Sequence, residues 1–258
     1  MISKNQIKLF KSLKHKKFRT QHSLFLVEGY RNCKELLESD FSIQKFFYTE
    51  NSIRGERNSK LIAEFKNTID KCENISPSEM SSISDTVTDQ GIVAIVHLPE
   101  KTQSPNLTDM RRVLCLESIS DPGNLGAIIR TAAWFGVDSI FLSSDSVDRF
   151  NPKVVRSSAG TIFRIPIFEL SDLNEFFKTA AENGFTKIAT APHGGTSIYE
   201  YDFPAKSIIL FGSEANGLSD DIMSNTDVII SIPSKGSGES LNLAISCGIV
   251  LGVMNRSN

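Results

Sequence analysis

The sequence predicts an α/β protein in two parts: a small α/β unit, then a larger, mainly parallel sheet flanked by helices on both faces. Three observations predict it. Short apolar runs alternate with stretches of helical periodicity, the alternation breaks once at residues 99–110, and 258 residues exceed the usual size of one domain. Hydrophobic residues make up 40% and charged residues 22%, the balance of a globular chain rather than a disordered or membrane-spanning one.

The leading segment reads as a basic helix. Lys4, Lys8, Lys11, Lys14, Lys16, Lys17 and Arg19 all precede the first acid, Glu28, while Ile7, Phe10 and Leu13 recur at helical spacing and turn inward. Such a lysine face is either simply solvated or a surface for phosphates. The segment has no apolar run long enough for a signal peptide, which places the chain in the cytoplasm. Residues 23–27 (SLFLV) predict a buried strand, 31–37 a helix with Cys33, Leu36 and Leu37 inward, and 43–48 a second strand. A helix over 60–65 and a strand covered on both faces at 91–96 (GIVAIV) complete this unit. Residues 99–110 (PEKTQSPNLTDM) hold two prolines and little periodicity, the composition of a linker. The expected division is therefore 1–98, a linker at 99–110, and 111–258.

Beyond the linker, strands are expected at 113–117 (VLCLE), 139–142, 187–191, 207–211 and 228–232, with helices at 123–135, 151–158 and 173–182. A closing helix at 241–254 is apolar almost all round and predicts burial. Strands alternating with helices imply a parallel sheet, whose ligands sit in loops at the strands' carboxyl ends. A net charge of −2 gives no support to nucleic-acid binding by itself; the uneven distribution of lysines carries that reading. Cys33, Cys72, Cys115 and Cys247 are scattered, without a CxxC pair or a histidine at ligand spacing, so free thiols are expected and no metal site.

Three loops of the second part combine glycine with a functional group at a strand end. Residues 121–126 (DPGNLG) open a helix and set Arg130 one turn past Gly126 and Ala127. Exposed amides at a helix start favour a phosphate, which Arg130 would clamp; an arginine on the surface of an ordinary capped turn gives the same pattern. Residues 211–218 (FGSEANGL) follow a strand directly, and their glycines permit close approach of backbone to a ligand. Glu214 there is either a site group or the cap of a helix beginning near Ser219. In residues 232–242 (IPSKGSGESLN), Ser240 predicts an N-cap, and Asn242, alone among Leu241, Leu243, Ala244 and Ile245, must cap, pair within the site or touch a ligand if buried. Gly236-Ser237-Gly238 lacks the third glycine and following strand of a dinucleotide loop, and there is no GxxxxGK[ST] loop, which argues against nicotinamide and nucleoside-triphosphate enzymes. His193 reads as a turn residue.

Together these loops resemble the three motifs of the SpoU/TrmH family of SPOUT methyltransferases: NLGAIIRTAAWFG, ILFGSEANGLS and IPSKGSGESLNLAISCGIVL, in the same order and spacing across residues 111–254. NPKVVRSSAG, at 151–160, is similar to the family's segment between the first two motifs. KFRTQHSLFLVEG, with Arg19, Phe25, Glu28 and Gly29, resembles the start of the family's RNA-substrate-binding domain. The resemblance implies a trefoil knot in the second sheet, which periodicity cannot show. It implies S-adenosyl-L-methionine as cofactor, lined by Thr190, Gly212, Gly217, Ile232 and Leu241. Methyl transfer to an RNA ribose 2'-hydroxyl is implied for Arg130, Glu214, Ser240 and Asn242. RNA contacts are then expected from Lys14, Lys17, Arg19, Asn124, Lys153 and Arg156, with Arg164 beside them. Family members are homodimers, with the closing helix near the interface. A substrate-binding domain ahead of the catalytic one favours ribosomal over transfer RNA; an RNA-binding homologue without methyl transfer is the alternative. The hydroxyl is a weak acid, so its attack needs a base or electrostatic partner. Arg130 would hold the adjacent phosphate, Ser240 and Asn242 would orient the nucleophile, and Glu214 would fix the loop or Arg130.

Overall fold

Ser3 starts the first helix with a capping box: its hydroxyl accepts from the Gln6 amide and the Gln6 side chain accepts from the Ser3 amide. That helix, α1 (Lys4–Ser12), ends early because Leu13 and His15 turn tightly onto the carbonyls of Phe10 and Ser12, and α2 (Lys16–His22) follows. The basic segment is thus two helices, with Phe10 and Leu13 buried as their spacing required. The computed structural model describes residues 2–86, 88–100 and 106–257. Residues 101–105 of the expected linker lie outside the described residues. The chain falls into two units, Met1–Lys101 with Asp148–Arg164, and Thr102–Val147 with Ile165–Asn258.

In the first unit, β1 (Leu24–Glu28), α3 (Tyr30–Leu37), β2 (Ile43–Thr49), α4 (Glu50–Ile53), α5 (Glu56–Thr68), β3 (Cys72–Ile75), α6 (Pro77–Ile83) and β4 (Ile92–His97) follow in order. The sheet runs β1-β4-β2-β3; β4 is antiparallel to both neighbours, and β3 is parallel to β2. Sequence periodicity misses β3 because this edge strand, CENI, has one buried residue in four.

The chain continues through β5 (Arg112–Leu116), α7 (Pro122–Trp134), β6 (Ser139–Ser143), α8 (Pro152–Ser157), β7 (Ile167–Leu170), α9 (Leu173–Glu182), β8 (Thr186–Ala191), β9 (Thr196–Ser197), β10 (Ser207–Phe211), α10 (Asp220–Ser224), β11 (Val228–Ser231) and α11 (Leu243–Met254). The second sheet is ordered β7-β6-β5-β10-β8-β11-β9, and every pairing between its strands is parallel. Five of its strands are those the apolar runs predict; β7 and β9 are short edge elements without a doubly buried pattern. Leu107, near the end of the expected linker, belongs to this unit's core with Phe141, Phe176 and Leu210, and half-buried Met110 packs against it.

A division running contiguously over 111–258 does not describe the contacts, because Asp148–Arg164 joins the first unit. Phe150 and Phe163 pack on Phe25 and Phe41, with the Phe25 and Phe150 ring centroids 4.5 Å apart. Arg19 is 2% exposed; its Nε donates to Asp148 at 2.9 Å and its Nη1 to the Leu13 carbonyl at 2.8 Å. The RNA contact expected of Arg19 is therefore corrected: burial and paired donors make it a brace of the fold. Arg156 faces Asp85 at 3.4 Å, and Arg164 pairs with Glu35 and Glu38.

The closing helix also departs from expectation. It starts at Leu243 rather than 241, and Asn242 is its N-cap, accepting from the amides of Ala244 at 3.0 Å and Ile245 at 3.2 Å. Ser240 is exposed and caps nothing among the described residues. One side of α11, with Cys247, Val250, Leu251 and Met254, is buried, while Ile245 is 55% exposed, so within one chain the helix is half open rather than enclosed.

Candidate active site

The chain leaves β5 toward β6 on one side and leaves β10 toward β11 on the other, so the order reverses between these neighbours. In a parallel sheet that reversal opens a crevice at the carboxyl ends, where ligands bind. The loops after β5 and β10 both reach it. Asp121 caps α7 by accepting from the Asn124 amide at 2.8 Å, with Pro122 at the first helical position, which fixes where Asn124 emerges. The Asn124 amide group then donates to Glu214 Oε1 at 2.7 Å, and Ser120 lies 3.5 Å from Glu214 Oε2. Asn242 donates to Asn124 Oδ1 at 3.0 Å. Asn242, Asn124 and Glu214 thus form one hydrogen-bonded line across all three motif loops.

Glu214 does not cap the next helix. Ser219 does, accepting from Ile222, and its amide and hydroxyl donate to Glu117 at 2.8 and 2.7 Å. The turn holding Glu214 is closed by paired backbone bonds between Ser213 and Gly217, 3.0 and 2.9 Å long. Gly217 has φ +70, and a Cβ on Gly212 would lie 2.0 Å from the Gly217 carbonyl carbon, so this turn admits no side chain at 212.

Two further sets of residues brace the crevice and were missed by motif reading. The Ser118 and Ser143 hydroxyls each donate to Asp145 at 2.5 Å, the Ser118 amide donates to Ser143 at 2.8 Å, and the Ile119 amide donates to Ser146 at 3.1 Å. The Ser118 hydroxyl foremost, then that of Ser143, holds the Asp145 carboxyl below its ordinary range. Glu117, clamping Ser219, is the other. The signal available beforehand was hydroxyl-rich strand ends, SIS and SSDS, which favour side-chain turns.

Of the residues expected to line a cofactor pocket, Thr190 is next to last in β8, with its hydroxyl donating to the Leu210 carbonyl at 2.8 Å. Ile232 is half-buried at the end of β11, and Leu241 is 50% exposed. Between them, residues 233–241 make no backbone-to-backbone hydrogen bonds among the described residues. Only Gly236 of this stretch has its backbone groups bonded among the described residues, to the Ser234 hydroxyl at 3.3 and 3.4 Å; the other amides and carbonyls beside apolar side chains suit an adenosine and an amino-acid moiety, so the donor set fits S-adenosyl-L-methionine.

Arg130 is exposed on α7, on the face it shares with Ala127 and Trp134, and its guanidinium meets no partner among the described residues. It lies six residues after Asn124, about 9 Å along the axis and about 120° around it. Within one chain the Arg130 position therefore diverges from the Asn124–Glu214 line. Burial of Cys247 pushes its thiol up to about 12, so this cysteine is an inert part of the α11 core.

An all-parallel sheet with polar loops gathered at its reversal defines a ligand-binding α/β unit, in a chain that also holds a separate α/β unit. The chain belongs to the SpoU rRNA Methylase family, whose profile matches residues 111–252. Residues 4–94 match the MRM3-like substrate binding domain. The chain is 30% identical to the 23S rRNA (guanosine(2553)-2'-O)-methyltransferase RlmP of Bacillus subtilis over 96% of each chain. It is 38% identical to an uncharacterized tRNA/rRNA methyltransferase of Synechocystis sp., over 69% of this chain and 64% of that relative. A crystal structure of an AdoMet-bound rRNA methyltransferase from Sinorhizobium meliloti superimposes with a TM-score of 0.85 at 26% identity, over 99% of this chain and 96% of the other.

Proposed function

We propose that the protein is a cytoplasmic homodimer that transfers a methyl group from S-adenosyl-L-methionine to a ribose 2'-hydroxyl of ribosomal RNA, and that its second sheet carries the family's trefoil threading. The observation that carries the reading is the Asn242–Asn124–Glu214 line, which gathers the three motif loops at the sheet's reversal. Identity to RlmP across nearly the whole chain favours ribosomal RNA and 2'-oxygen chemistry.

When bound, S-adenosyl-L-methionine supplies an electrophilic methyl on a positively charged sulfonium. The loops holding Gly212, Gly217, Ile232 and Leu241 would bind it through backbone groups, with Thr190 bracing β8 against β10 behind them. Asn242 and Asn124 orient the sugar, Ser240 adds a hydroxyl from its exposed loop, and Glu214 holds Asn124 in place. Arg130 binds the neighbouring phosphate and stabilises the alkoxide character that develops as the hydroxyl attacks.

Homodimerisation gives Arg130 its place. Trp134 is 85%, Leu241 50% and Ile245 55% exposed around the packed helices α7 and α11, an apolar surface that a second copy would cover. An Arg130 reaching the partner's crevice reconciles its open face with its divergence from Asn124 in its own chain. Exposed Lys14, in the turn between α1 and α2, and Lys17 on α2, together with exposed Lys153, would meet RNA phosphates; Arg156, partly engaged by Asp85, is the weaker contributor.

The test is incubation with ribosomal RNA, and separately with transfer RNA, in the presence of methyl-labelled S-adenosyl-L-methionine. Labelled, alkali-resistant dinucleotides from ribosomal RNA are expected. Label confined to transfer RNA overturns the target, and RNA retention without label identifies a binder that performs no transfer.

A further inference from the structure

The loop between β5 and α7 bears directly on the proposed chemistry, since it delivers Ser120, the Asp121 cap and Asn124 to Glu214. Its path is not self-sustaining. Ser118 holds φ 55, in the left-handed region that a serine rarely occupies, and it leads straight into buried Ile119. What keeps that conformation is a cluster at the end of β6. The Ser118 amide donates to Ser143 Oγ at 2.8 Å, and the Ser143 hydroxyl donates to Asp145 Oδ1 at 2.5 Å. The Ser118 hydroxyl reaches Asp145 Oδ2, also at 2.5 Å. One residue on, the Ile119 amide donates to Ser146 Oγ at 3.1 Å, and the Ile119 carbonyl accepts from the Val147 amide at 2.8 Å. A carboxylate suits this place because both hydroxyls must donate at once, and only a group with two acceptor oxygens takes both in strong, charge-assisted bonds.

We propose that Asp145 is a positioning residue for methyl transfer, locking Ser118 in its left-handed conformation so that the Ser120–Asn124 segment meets Glu214 in register. The proposal rests on the methyltransferase reading for its kinetic consequence, and on geometry alone for the ordering of the loop. Residues 212, 217, 232 and 241, proposed to hold the cofactor, lie on other loops, so cofactor affinity should be independent of Asp145.

The variant Asp145→Asn keeps size and shape but puts a donor where one acceptor stood. Turnover on ribosomal RNA should fall roughly tenfold through misplacement of the reacting groups, with KM and cofactor affinity each changed less than about twofold. Hydrogen exchange should accelerate in the peptide covering residues 117–124. Adding Ser118→Gly, which removes the cost of a positive φ, should restore much of the turnover and protection. Unchanged turnover and exchange in Asp145→Asn would overturn the proposal, as would a parallel loss of cofactor affinity and melting temperature, which marks a general structural role. Wild-type protein in the same assay separates the two readings: absence of transfer by wild type counts against the methyltransferase, while exchange still decides whether Asp145 orders the loop.

Discussion

Replacing Gly212 by alanine probes the tightest contact at the crevice. The added Cβ would meet Gly217 C at 2.0 Å, Gly217 O at 2.1 Å and Leu218 N at 2.1 Å, all backbone atoms that no side-chain rotation can clear. Ordinary contact begins at 3.4 Å, so the turn must open by about 1.4 Å, the difference between these distances. The paired Ser213–Gly217 bonds, now 3.0 and 2.9 Å, do not survive that movement. Two hydrogen bonds contribute about 2 kcal/mol. If the bound state requires the closed turn, S-adenosyl-L-methionine affinity should fall about 30-fold, the equivalent of that free energy. Residues 214–217 are exposed, so the sheet should remain folded and melt within a few degrees of wild type. Titration calorimetry with the cofactor, paired with thermal melting, measures both. A folded Gly212→Ala protein whose affinity lies within threefold of wild type would refute the placement of this turn in the pocket.

Arg130→Ala should abolish methyl transfer by at least about a hundredfold while leaving cofactor affinity within about twofold, because the guanidinium is proposed to act on RNA; equal loss of both removes that role. Ile245→Glu should convert the proposed dimer to monomers in light scattering and lower activity with it; a wild-type mass of one chain would refute the dimer, and a dimeric mass unchanged in the variant would show that α11 is not the interface. Asp148→Ala leaves buried Arg19 without its carboxylate, which should cost ~3 kcal/mol and lower the melting temperature by roughly 10 °C; a shift under about 2 °C would show that the pair contributes little.

Much of this protein could be read from its residues alone. The buried strands announced themselves as doubly apolar runs, because a parallel sheet covered on both faces excludes polar residues from its centre: VLCLE, SIFL and SIIL needed no neighbour to be recognised. The motif loops were legible for a related reason, since glycine at 212 and 217 and a capped helix at 121–124 are local backbone demands. Edge strands β3 and β7 were not legible, because one partner strand and partial solvent exposure leave no periodic trace. Partnership was beyond reach as well. Glu214 served equally well on paper as a cap or a site group, and the fold chose by bringing Asn124 to it from 90 residues away. Arg19 sat in a run of exposed lysines and read as one of them, until the return of Asp148–Arg164 to the first unit buried it against Asp148. Local chain preferences and apolar patterning, then, determined which elements form and which loops bend. The pairing of charges and amides waited on tertiary structure, because hydrogen-bond partners are set by distances in space that sequence separation does not encode.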